Sequence, residues 1–141
     1  MDLKQIQEMW EKDSVIDEVL LDQASIKIPQ LHSRYLAFHN HFSLLTKRAI
    51  TELKSAEHQK WLYYSGKAEP EEYESAPFKH KVAKAEIPRW MAADEDLNNI
   101  ETKIEYYACT VNTLNEILKQ IHQMSYNIKN IIAWRQFSGG V

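Results

Sequence analysis

The 141-residue chain has one cysteine, three glycines and four prolines, and each scarcity excludes something. A single thiol, Cys109, cannot form an internal disulfide and fits a reducing compartment. Its neighbours, YYACTV, place it at a buried helix position rather than in a nucleophile's setting. No apolar run approaches the roughly 18 residues that cross a bilayer, and no signal segment opens the chain. A soluble, intracellular protein with no membrane partner is expected. A net charge of −3 also lacks the overall positive balance of a typical nucleic-acid-binding domain. Catalytic signatures are missing too. Gly139-Gly140 is a tail, and the SGK at 65–67 lacks the preceding glycines of a phosphate-cradling loop. There is no nucleophile elbow and no zincin pattern. His39 and His41 are two apart and diverge on a helix. His32 and His39 are seven apart, but no cysteine or third histidine completes a tetrahedral set. No enzyme, no catalytic residue, no metal site and no cofactor are expected.

What is present is long helix. Hydrophobic residues make up 44% of the chain, too many for disorder, and the length fits a single helical domain over 1–141. Glycine and proline cluster so that long stretches run without a breaker. Residues 1–28 form an acidic N-terminal segment, with seven acids against three lysines. Leu3, Ile6, Met9 and Trp10 share a face there, and Val15, Ile16, Val19 and Leu20 extend a weaker stripe, as one or two helices. Pro29 suits the first turn of the next helix. That helix, within 29–66, has a basic face and carries Leu31, Tyr35, Phe38, Phe42, Leu45, Ala49, Leu53 and Ala56 at heptad-like spacing. Residues 67–96 read as a charged connector: an acidic run (Glu69, Glu71, Glu72, Glu74), a basic run from Lys79 to Lys84, and a short helix. A last helical region, 97–137, repeats Leu97, Ile100, Ile104, Tyr107, Val111, Leu114, Leu118, Ile121 and Ile128 by threes and fours. The expected fold is all-α: long antiparallel helices with shorter helices packed alongside. Apolar residues off the seam (Trp61, Leu62, Tyr106, Ile117, Ile131, Ile132, Trp134) give a second face, which implies self-association.

Charge is distributed more tellingly than its total. From Thr46 to Lys67 there are five basic residues against two acids. Lys54, His58 and Trp61 lie on one helical face, Lys60 and Tyr64 on an adjacent one, and Lys47 and Lys67 extend the positive charge. Cations meet phosphates and rings stack on bases without regard to sequence, so the stretch reads as a surface for single-stranded nucleic acid. Ordinary helix packing explains the rings equally well, and spacing does not separate the two readings.

Four stretches taken together resemble the recombination mediator proteins of T4-type phages: WEKDSVID at 10–17, LYYSGK at 62–67, ADEDL at 93–97 and IKNIIAWRQF at 128–137. The resemblance covers nearly the whole chain. It implies a helical protein that closes into a ring-like homo-oligomer, a hexamer or heptamer. It implies binding to single-stranded DNA, in the cytoplasm of the infected host cell. The function implied is loading a strand-exchange recombinase onto DNA coated by the single-strand-binding protein. In that family a DNA-binding basic pair precedes YYSG, at the positions of His58 and Lys60. Only Lys60 keeps a full charge, since an imidazole is mostly neutral near pH 7; Lys54 and Lys67 are candidates to compensate. The expected DNA-binding set is therefore Lys54, His58, Lys60, Trp61 and Lys67. The C-terminal helix is the implied oligomerisation element, through Val111, Leu114, Leu118, Ile121, Ile128 and Ile132. The alternative is a helical oligomeric scaffold that binds proteins only.

Overall fold

Two helices of 44 residues each dominate the chain, and no strand occurs among the described residues, 1–139, of the computed structural model. In order come α1 (Leu3–Asp13), α2 (Leu21–Tyr64), α3 (Pro70–Ser75), a single 3-10 turn at Lys84–Glu86, α4 (Ile87–Ala92) and α5 (Glu95–Ser138). The all-α architecture of long antiparallel helices with shorter ones beside them agrees with the pattern in the sequence. By contact density the chain divides into two units: residues Met1–Ser43 with the chain from Cys109 onward, and residues Leu44–Ala108.

In the first unit, α1 starts at a reciprocal cap. The Gln5 backbone N–H donates to the Asp2 carboxylate (2.8 Å) and the Asp2 N–H donates to the Gln5 side chain (2.9 Å), which satisfies two of the donors left open at a helix start. Its inward face places Ile6 in the core and Trp10 edge-on to Tyr35, with ring centroids 5.4 Å apart. Tyr35 is fully buried. Its hydroxyl donates to the Asp13 carboxylate at 2.8 Å, and Arg34 pairs with the same carboxylate at 3.0 Å. Burial, followed by this bond to a carboxylate, pushes the Tyr35 phenol well above its usual range. Leu31 and Phe42 of α2 and Leu114, Ile117, Ile121, Met124 and Ile128 of α5 complete the core.

Several expectations change here. Of the one or two helices expected in the first segment, one forms ahead of α2, and it stops at Asp13 because residues 14–20 leave the helical path. The Asp17 side chain accepts from the Val19 and Leu20 backbone N–H groups there, a local alternative to helical bonding. Val15, Val19 and Leu20 are consequently exposed rather than part of a stripe. The next helix starts at Leu21, not at Pro29, so Pro29 sits inside α2; it removes one backbone donor from the helix without ending it. Ile117, placed off the seam by spacing, is 4% exposed, and Leu118 is half-buried instead. Cys109 is exposed. The next residue, Thr110, takes the buried position, since each helical step turns the side chain by about 100°.

The second unit holds the end of α2, the start of α5 and the segment between them, which is more than a solvated connector. α2 ends in a Schellman arrangement around Gly66, whose φ is +79°. The Lys67 N–H reaches the Leu62 carbonyl at 2.9 Å and the Gly66 N–H reaches the Tyr63 carbonyl at 3.2 Å, which is the bonding a left-handed glycine permits at a helix end. The Tyr73 hydroxyl from α3 closes the same end by donating to the Tyr63 carbonyl at 2.7 Å. Tyr63 stacks on Tyr73 (5.4 Å, 18° between planes), and Phe78 touches Tyr63, Tyr64 and Trp90, each at 5.3 Å. These spacings are those at which ring pairs add to simple burial. The adjacent tyrosines of YYSG thus face inward.

Candidate nucleic-acid interface

Two groups of cations stand out in the second unit. On α2, Lys47, Lys54 and Trp61 are seven apart and His58 follows Lys54 by four, so all four lie on one narrow stripe. Lys47, Lys54 and His58 are exposed and Trp61 is half-buried. Among the described residues, neither Lys54 nor His58 has a carboxylate within salt-bridge distance. The stripe continues past the helix end, where the Lys67 ammonium sits 4.9 Å from the centre of the Trp61 ring, within cation–π range. Trp61 also walls a groove of about 370 Å³ with Ile87, Met91 and Leu97.

Lys60 belongs to the other group. It points away from the stripe and its ammonium lies 2.8 Å from Asp96 and 3.2 Å from Asp94. Asp94 is the focal point of this cluster, with its side chain 5% exposed. One carboxylate oxygen accepts from the Leu97 N–H at 3.0 Å, capping α5. The other accepts from the Tyr64 hydroxyl at 2.5 Å as well as from Lys60. Burial alone would raise the Asp94 pKa; the bonds from Tyr64, Leu97 and Lys60 outweigh it and hold the carboxyl below its usual range. Burial likewise works against the Lys60 charge, and its bonds to Asp96 and Asp94 overcome that and raise its pKa. Tyr64, buried and bonded to a carboxylate, is pushed up to about 12. Lys103 is also paired, with Glu52 at 2.7 Å.

The structure therefore brings Lys54, His58, Trp61 and Lys67 onto one continuous surface and places Lys60 in an ion-pair cluster at the base of α5. On the C-terminal helix, Leu114, Ile121 and Ile128 are covered by their own unit, Val111 and Leu118 are half-buried, and Ile132 is exposed beside exposed Trp134 and Phe137. Among the described residues no group of three potential ligands is arranged to hold a metal ion, and no helix is long and apolar enough to cross a membrane.

Sequence reasoning passed over Tyr73, Phe78 and Trp90, and it read Asp94 as an acid suited to a helix start and His80 as part of a basic run, without the cluster that each joins. An aspartate three residues before Leu97 is an N-cap signal. Aromatics recurring through a charged segment were the sign that it packs.

With a stripe of unpaired cations and a ring on an all-helical chain, comparison with known proteins becomes decisive. The family model described as "Recombination, repair and ssDNA binding protein UvsY" matches residues 9–141. The chain belongs to the UvsY family. It is 26% identical over 140 residues to the recombination protein uvsY of Enterobacteria phage T4, covering 99% of both chains. Two crystal structures of the bacteriophage T4 recombination mediator protein UvsY superimpose on it at 25% identity. One, in lattice type II, gives a TM-score of 0.85 over 99% of this chain and 98% of the other. The second, in lattice type IV, gives 0.83 over 98% and 99%. The UvsY family is one of recombination mediators. Within this chain, the LYYSGK and ADEDL stretches that carried the resemblance build the end of α2 and the Asp94 cluster.

Proposed function

We propose that this chain binds single-stranded DNA along the α2 stripe and acts as a recombination mediator. Lys54 and His58 face the phosphates, Trp61 offers a ring to a base, and Lys67 holds that ring while adding charge. Lys60, the second position of the family's basic pair, serves as a strut that fixes the end of α2 to the start of α5. The observation that carries this reading is the contrast between Lys54, exposed with no carboxylate beside it, and Lys60, held by two.

Few cations per chain bind a phosphate backbone weakly, and repetition around a homo-oligomer raises the avidity without new contacts. A hexameric or heptameric ring, closed through the exposed apolar end of α5 at Ile132 with the neighbouring Trp134 and Phe137, provides that repetition. Such a ring competes with the single-strand-binding protein for DNA and favours the recombinase filament by differential binding alone. No bond is made or broken and no cofactor is required. The work is done in the cytoplasm of the infected cell.

The test is fluorescence anisotropy of a labelled oligonucleotide over a salt series, for the wild type and Lys54→Ala, with the mass of the assembly measured in parallel. Each phosphate contact on a single strand contributes about 0.7 to the slope of log K against log salt. An intact Lys54→Ala oligomer should bind more weakly, with a shallower slope. Unchanged binding moves the interface off α2. Absence of wild-type binding at low salt leaves a scaffold that engages proteins only, for which the exposed carboxylates of α3 at Glu71, Glu72 and Glu74 and those of the acidic first segment, such as Glu8 and Glu11, are the candidate surfaces.

A further inference from the structure

Behind the Schellman turn of α2 lies an open cleft of about 380 Å³, lined by Tyr64, Ser65, Gly66, Tyr73, Phe78, His80, Lys81 and Val82. Its size is within the range of small-ligand sites, about 300–1,000 Å³. Three features define what it can hold. Its walls are rings: Tyr73 and Phe78 are half-buried in the aromatic cluster, and His80 is exposed at the rim, 5.5 Å from Phe78 and 5.1 Å from Trp90. No carboxylate lines it and Lys81 does; the exposed Lys79 and Lys67, like the exposed Glu72 and Glu74, flank lining residues in the chain. The hydroxyls of its two tyrosines are already engaged, Tyr64 with Asp94 and Tyr73 with the Tyr63 carbonyl. They have no free donor with which to read an occupant.

A half-buried stack of rings with the Lys81 ammonium in its wall fits one flat, apolar-faced group attached to an anion. We propose that this cleft is a second docking point for single-stranded DNA, in which an unpaired base inserts against Phe78 and Tyr73 while Lys81 neutralises the adjoining phosphate. The proposal rests on the reading that the protein binds single-stranded DNA, and it adds a site on the segment between α2 and α5. Gly66 and Ser65 form the wall it shares with the end of α2, and Lys67, which follows them, reaches back over Trp61. A strand leaving the α2 stripe at Trp61 therefore meets the cleft across the turn. Because the tyrosine hydroxyls are occupied, docking is by stacking and is tolerant of sequence, since every base has a ring face.

The experiment compares an oligothymidine with an abasic strand of the same length, which keeps the phosphates and lacks the bases. The wild type, Lys54→Ala and Val82→Trp are assayed by anisotropy, with circular dichroism and assembly mass as folding controls. Val82→Trp fills the cleft with a ring and removes no charge. The wild type should prefer the oligothymidine by at least about five-fold, the lower end of what one stacked base contributes. Lys54→Ala should weaken both strands and keep the wild-type preference, whereas Val82→Trp should lower the preference to what the Trp61 stack alone supplies. In parallel, an oligonucleotide carrying 5-iodouracil is cross-linked by ultraviolet light to the wild type. Adducts should map to Tyr73, Phe78 or His80. Adducts confined to Trp61, or a Val82→Trp variant that keeps the wild-type preference, overturn the cleft while leaving the α2 interface intact; equal wild-type affinity for both strands overturns the cleft and the stacking role of Trp61, leaving only the phosphate contacts of α2. No wild-type binding to either strand at low salt overturns both.

Discussion

Removing the Lys60 ammonium while keeping most of its stem, as in Lys60→Met, separates a strut from a phosphate contact. In the folded chain the Asp94 carboxylate is 5% exposed and has three partners: Tyr64, the Leu97 N–H and Lys60. The substitution leaves two neutral donors and removes the one cation among the described residues within salt-bridge distance of it. A fully buried pair broken in this way costs about 3–5 kcal/mol, and an exposed one about 0.2–1 kcal/mol. Lys60 is 25% exposed and its second partner, Asp96, is 72% exposed, so the arm to Asp96 adds little. The expected loss lies between the limits, at about 2 kcal/mol. For a chain of this size about 1 kcal/mol shifts Tm by roughly 4 °C, so a fall of about 8 °C is expected in a thermal melt at fixed protein concentration. In the DNA assay the same variant, below its melting temperature, should keep the wild-type salt slope. A melting temperature unchanged within about 2 °C, with a slope reduced by about 0.7, would refute the strut and make Lys60 a phosphate contact.

Four further outcomes follow from named contacts. Gly66→Ala meets no atom within 4 Å of the added methyl group and is strained only by φ. It should destabilise the chain by about 1–2 kcal/mol, the cost of a left-handed non-glycine residue, read as a lower urea midpoint with an unchanged m-value. In alkali, Lys60 and Tyr64 both have raised pKa values, so their contribution is complete below their ordinary values of 10.5 and 10.0 and is lost as pH rises through the folded values. Tyrosinate absorbance should show one phenol, Tyr64, ionising at about 12, and Asp94→Asn should bring that step down. In acid the sign reverses. Asp94 is depressed below its ordinary 3.8, so its stabilisation is present above that value and lost as pH falls through the folded pKa; aromatic circular dichroism should report the loosening of the second unit there. In the first unit, Asp13→Ala removes the acceptor of buried Tyr35 and the partner of Arg34. It should cost about 1–3 kcal/mol, whereas Arg34→Ala, which removes an exposed partner, should cost under about 1 kcal/mol in the same urea titration.

Helices were legible in the sequence because their signals are local. Apolar residues at threes and fours mark one face whatever lies opposite, and Ser65-Gly66 marks a stop because only glycine adopts the left-handed turn easily. Family membership was legible for a related reason: WEKDSVID, LYYSGK, ADEDL and IKNIIAWRQF keep their order and spacing in any fold. Boundaries set by competition were less visible. Pro29 reads as a helix start, but Asp17 ties up the preceding backbone and lets α2 begin eight residues earlier. Spacing put Leu118 on the seam and its neighbour Ile117 off it, yet Ile117 is the one buried, because the packing of the partner helix decides between adjacent residues.

The sequence by itself determined an all-α chain, the two long amphipathic helices and a locally basic stretch with a tryptophan inside it. The tertiary structure alone decided what each cation of that stretch is for. Lys54 and Lys60 are equivalent as letters, six residues apart on one helix. Folding brings Asp94 and Asp96, more than thirty residues away in the chain, against Lys60 and not against Lys54. Charge pairing across such a separation depends on where another helix begins in space. No spacing rule within one helix contains that information.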